Sequence, residues 1–138
     1  MNAADPGVQW LLASGVAAVR FFTLTELLDQ PADAPAVRAA RAAIPRSRRV
    51  RALLAGQWLD GGFRVHPYQK WTGAHWRLVS LAELGLPPGD ARAGRALEQV
   101  LGWLTGAAHR KRIVQVAGRT RRCASQEGNA LAAGCRLG

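Results

Sequence analysis

Tyr68, Trp71, His75 and Trp76 lie within nine residues of one another. At helical spacing they gather around the head of one helix, where aromatic faces can hold an apolar or cationic ligand. The ordinary use of Trp71 and Trp76 at such a place is as core or packing side chains. A histidine like His75 is more commonly a hydrogen-bonded structural residue than a general base. No carboxylate or nucleophile stands at a spacing that would build acid–base chemistry around it. Gln126, Glu127 and Asn129 fall near the head of a later helix, which they can cap or whose neighbouring cavity they can line. Cys123 with His109 and Cys135 shows no zinc-ligand spacing, so no metal or cofactor is expected. The two cysteines, twelve residues apart, are compatible with one bridge and make no disulfide framework. The basic runs Arg46–Arg51, His109–Arg112 and Arg119–Arg122 can grip phosphates. They lack interleaved aromatics and a helix-turn-helix pattern, so a solvated or interface face is expected and a nucleic-acid partner is not.

The elements that must position these residues read as helices. The chain has 138 residues, 49% of them apolar, which suits one compact domain with a real core. Net charge is +10, but 17 of the 19 cationic residues are arginine in a chain with 26 alanines. That bias is what a GC-rich coding sequence produces, and it weakens charge as an argument for nucleic acid. The longest apolar stretch, Val8–Val19, is too short to span a bilayer, and residues 1–7 carry no Lys or Arg. The expectation is a cytoplasmic protein without a transmembrane segment.

Apolar periodicity predicts six helical pieces and little or no sheet. Residues 16–28 form a helix apolar over most of its circumference, which implies burial on most sides. Asp33 and Pro35 start a short helix ending near Ile44, and a further piece runs from Ser47 to about Gln57. Leu59–Phe63 reads as a turn, because Asp-Gly and Gly-Gly are its strongest signals. Thr72 heads a helix to Leu84, closed by Gly85, with His75, Leu78, Val79, Ala82 and Leu86 on one side. Asp90 caps a helix to Leu104 with the stripe Ala93-Leu97-Val100-Leu101-Leu104, and a last helix occupies roughly 124–137.

Aligning helix ends reveals a repeat. Leu28-Asp29, Leu84-Gly85 and Leu137-Gly138 close three segments spaced by 56 and 53 residues, superposing Phe22, Leu78 and Leu131. The domain then divides into units at about 8–57 and 58–106, with an incomplete third at 107–138. Helix-pair repeats of this length signal solenoids or toroids.

The segment Arg51-Ala-Leu-Leu-Ala-Gly-Gln57-Trp-Leu-Asp60-Gly61-Gly-Phe63 resembles the repeat motif of the prenyltransferase and squalene cyclase superfamily. Pro67–Gly85 looks like an inner helix of bacterial members, and Arg122–Leu131 like the same position in the next repeat. The resemblance covers about 90 residues. It implies an all-α chain forming part of an α/α toroid, with Gln57, Asp60, Gly61 and Phe63 as structural repeat residues. In that family such a Gln bonds to backbone at the start of a following helix while the aromatic packs over it. The family's catalytic sets, an Asp-rich motif or a zinc-holding Asp/Cys/His group, have no counterpart, since the five aspartates stand apart. The resemblance therefore implies a truncated or non-catalytic toroid unit acting by binding or assembly. Its partners would be a second copy or another chain, and its ligand an apolar, isoprenoid-like molecule. A small basic nucleic-acid-binding module and an enzyme subunit completed by a partner chain are the alternatives. Self-association predicts assembly with little salt sensitivity, whereas nucleic-acid binding predicts a steep loss with salt.

Overall fold

A computed structural model describes residues 2–138. The chain is mostly helical, as expected, and its helices divide between two compact units. The first unit takes residues 2–52 together with Leu84–Pro87. It opens with a helix absent from the sequence expectation, α1 (Pro6–Leu12). Its start is simple chemistry: Asp5 Oδ1 accepts from the amides of Gly7 at 2.8 Å and Val8 at 3.3 Å, and Pro6 sits where a missing N–H costs nothing. Helix α2 (Ala17–Phe22) runs on into a π turn at Thr23–Leu27. There the amide of Leu28 reaches back five residues to the carbonyl of Thr23, at 3.1 Å. Between residues 16 and 28 only Glu26 is exposed, so burial on most sides holds. Helix α3 (Pro35–Ala43) begins at Pro35 but takes no side-chain cap from Asp33. It buries Val37 and Ala40, and a 3-10 turn at Ile44–Arg46 buries Ile44. Helix α4 (Arg48–Leu54) stops three residues before Gln57.

The second unit takes Leu53–Glu83 and Pro88–Gly138. Three helices build it: α5 (Ala74–Glu83), α6 (Ala91–Thr105) and α8 (Ala124–Leu137), each packed on the other two. Small side chains allow this close approach, because Ala93 and Ala96 of α6 and Ala130 and Ala133 of α8 are all buried. Leu78 and Leu81 of α5 and Val100 of α6 fill the remaining space. Asp90 caps α6 as expected, accepting from Arg92 N at 2.9 Å and Ala93 N at 3.3 Å. The stripe on α6 differs in one member: Leu101 is 46% exposed, and Ala96 takes the buried position.

A short helix α7 (Ala107–Arg110) and a two-residue hairpin, β1 (Gln115–Val116) with β2 (Arg119–Thr120), occupy the basic stretch. The hairpin is antiparallel, pairing Gln115 with Thr120. Ala117 and Gly118 turn it with φ of 49° and 72°, as a type I′ connection requires.

One further expectation changes. Leu131 does not share the environment of Leu78, being 69% exposed where Leu78 is 1% exposed. Cys123 and Cys135 do not pair: both are free and exposed. They stand at the two ends of α8, about 18 Å apart at 1.5 Å per residue, far beyond the ~7 Å that a disulfide tolerates between Cα atoms.

Candidate functional site

The turn before α5 is built by Gln57, Asp60 and two glycines. The side-chain amide of Gln57 donates to the carbonyl of Arg92 in the first turn of α6, at 2.8 Å, and to that of Gly61 at 3.2 Å. Asp60 Oδ1 accepts from Gly62 N at 2.9 Å, and its carbonyl accepts from the Gln99 side chain at 2.8 Å. Gly61 has φ +87°, and a Cβ there would collide with the backbone carbonyl of Arg95. Phe63 is buried beneath the guanidinium of Arg77, which lies 4.1 Å from the ring centre. Arg77 also donates to the carbonyls of Leu53 and Thr72, both at 2.7 Å. Burial lowers its pKa from the usual arginine value.

The loop from His66 to Gly73 delivers the aromatic residues. Gln69 N donates to His66 O, and His75 N to Pro67 O, so the loop closes onto the first turn of α5. Only glycine fits at Gly73, where a Cβ would meet the carbonyls of His66 and Pro67. Tyr68 becomes the hub. Its ring stacks on Trp103 at 5.5 Å and 22°, meets His75 edge-on at 4.9 Å, and contacts Trp76 at 5.7 Å. Its hydroxyl shares a 3.0 Å hydrogen bond with Ser125 at the head of α8. Trp71 touches Trp76 but is 66% exposed, and Lys70 lies 5.2 Å from its ring centre. The four aromatic residues read from sequence are thus brought together.

His75 is buried, and its Nε2 lies 3.0 Å from the carbonyl of Gln126. A carbonyl only accepts, so Nε2 carries the proton and Nδ1 is bare. Nδ1 is buried with no hydrogen-bond partner. Burial pushes the pKa of this imidazole down, against the smaller upward pull of the backbone at Gln126 and Ser125. His75 is therefore neutral at pH 7 and joins α5 to α8.

A cavity of about 320 Å³ opens beside this cluster. His66, Tyr68, Trp103 and His109 form its aromatic wall. His66 and His109 meet Trp103 edge-on at 5.2 and 4.9 Å. Arg112, Arg121 and Arg122 supply cationic groups, and Cys123, Gln126 and Glu127 line the cavity from the head of α8. Arg122 pairs with Glu127 at 2.9 Å. Among the described residues, Arg112 and Arg121 have no carboxylate partner. The thiol of Cys123 is 3.3 Å from the Ser125 hydroxyl. That hydrogen bond first, then the backbone at Gln126, draws its pKa below the ordinary thiol value, while burial and Glu127 oppose the shift.

Of the residues singled out from sequence, Tyr68, Gln126 and Glu127 line this cavity, whereas Trp71, His75, Trp76 and Asn129 do not. Sequence reading missed His66 and Trp103, and it expected the runs holding His109, Arg112, Arg121 and Arg122, able to grip phosphates, on a solvated or interface face rather than at a cavity. The basic runs carry no Phe, Tyr or Trp along the chain, and the fold brings Trp103 from α6 and His66 and Tyr68 from the loop before α5. Among the described residues, no three His, Cys, Asp or Glu side chains gather as metal ligands. The arrangement can hold an anion and a flat ring; among the described residues no histidine or carboxylate hydrogen-bonds a hydroxyl or thiol in it. No protein-family model, curated protein or solved structure matches this chain.

Proposed function

We propose that the chain is a non-catalytic helical-repeat module of the prenyltransferase and squalene cyclase type, acting by assembly and binding. One observation carries this reading. Gly128, Leu131, Ala132 and Cys135 of α8 are all exposed. Their i, i+3, i+4, i+7 spacing makes one small apolar stripe, opposite the buried Ala130, Ala133 and Leu137. A repeat that stacks helix faces covers such a stripe with the next helix. The Gln57 bond to the head of α6, spanning 35 residues, supports the same repeat plan. An isoprenoid-like apolar ligand would lie against Tyr68, Trp71 and Trp76. The partner for α8 is a second copy of the chain.

Light scattering over a concentration series at low and high salt tests the assembly. The expected result is a discrete dimer that persists or strengthens as salt screens the +10 charge, and that Leu131→Glu returns to monomer. A folded monomer at every concentration overturns it. The basic-module alternative draws on Arg112, Arg121 and Arg122 at one cavity. It predicts oligonucleotide binding that falls steeply with salt.

A further inference from the structure

The cavity in the second unit pairs two kinds of wall that no assembly role requires. Arg112 and Arg121 both line it without an ion-pair partner among the described residues. Two like charges on one small cavity repel, and a bound dianion turns that repulsion into attraction. The one carboxylate present, Glu127, is engaged by Arg122 at 2.9 Å, so it does not neutralise the other two guanidiniums. The cavity's other lining is aromatic, from Trp103 and the Tyr68 stacked on it, rings that a flat ligand can pack against. His66 and His109, edge-on to Trp103, add polar ring nitrogens. A volume of about 320 Å³ is at the small end for ligand sites. That volume accommodates one ring with one anionic group.

We infer that this cavity binds a phosphate monoester carried on a flat aromatic or heteroaromatic ring, a ligand of mononucleotide size. The phosphate, dianionic near neutral pH, lies against Arg112 and Arg121, and the ring lies along the wall formed by Trp103. Inorganic phosphate alone leaves the aromatic wall unused. An uncharged ring leaves the arginines unanswered.

Calorimetry and tryptophan fluorescence on the full chain test this. The probes are adenosine 5′-monophosphate and phenyl phosphate, compared with adenosine and inorganic phosphate. Both monoesters are expected to bind one site per chain, at least about tenfold more tightly than either control. Arg112→Gln and Arg121→Gln, both at exposed residues, should each weaken monoester binding about tenfold with an unchanged far-UV spectrum. Failure of both monoesters to bind, parity of either control with them, or wild-type binding by both variants overturns the inference. Tighter binding of an oligonucleotide without terminal phosphate also overturns it, since the arginines would then track a polymer backbone. Light scattering on the same samples keeps this outcome separate from the assembly reading.

Discussion

His75 concentrates the physics of the second unit in one side chain. Its Nε2–H is committed to Gln126, and its bare Nδ1 is enclosed without a partner. Protonation would place an unanswered charge among Tyr68, Trp76 and the carbonyl of Gln126. The folded-state pKa therefore lies below the ordinary 6.5, with burial as the main cause. Unfolded chain binds more protons in the interval between the two values. Stability is thus complete above about pH 6.5 and declines as pH falls from there toward the folded pKa. Urea midpoints at about pH 8 and about pH 5 should show this loss in the wild type and a smaller one in His75→Gln. An equal loss in wild type and His75→Gln would remove His75 as the cause. Proximity in the chain made Tyr68, Trp71, His75 and Trp76 legible from sequence. Trp103 escaped because it lies 35 residues from the tyrosine it stacks on. No short-range pattern encodes a pairing across three elements.

At the scale of elements, the turn at Gly61 and the middle of α6 set opposite demands on the same residue type. Gly61 adopts φ +87° against the backbone of Arg95. Gly61→Ala should cost about 2 kcal/mol or more, from left-handed strain plus displacement of α6. Gly102 lies exposed inside α6, where an added methyl group would meet no neighbouring atom within 4 Å. Gly102→Ala should therefore stabilise by about 0.5–1 kcal/mol through helix propensity. Thermal or urea unfolding of the two variants checks both signs, and a stabilised Gly61→Ala would refute the turn geometry. Helices with long apolar periodicity were legible, as were the Asp90 cap and the break before α5. Helix α1 was also encoded, by Asp5 followed by Pro6, but its seven residues are too few for periodicity to announce. The hairpin escaped for a related reason: two-residue strands cannot display alternation, and its signal reduces to Ala117-Gly118. Leu131 went the other way, because repeat alignment marks equivalence of position and not the neighbours that decide burial.

Across the whole molecule, 17 arginines and a charge of +10 coexist with an apolar stripe on α8. No helix among the described residues is long and apolar enough to cross a membrane. The charge was legible at once; its use was not, because only folding decides which arginines meet carboxylates and which face a cavity. Helix α8 also fixes the separation of the two thiols, and this gives the molecule a defined valence. Each copy carries two exposed thiols that cannot reach one another, so mild oxidation joins copies to each other and closes no internal loop. Non-reducing electrophoresis should show a ladder of oligomers that a reductant collapses. Cys123→Ser or Cys135→Ser alone should stop the ladder at dimer, and an internally bridged monomer would contradict the rod-like spacing. With its thiols held apart, α8 makes this chain a bifunctional monomer for step-growth polymerisation, in which removing either end turns a link into a chain stopper.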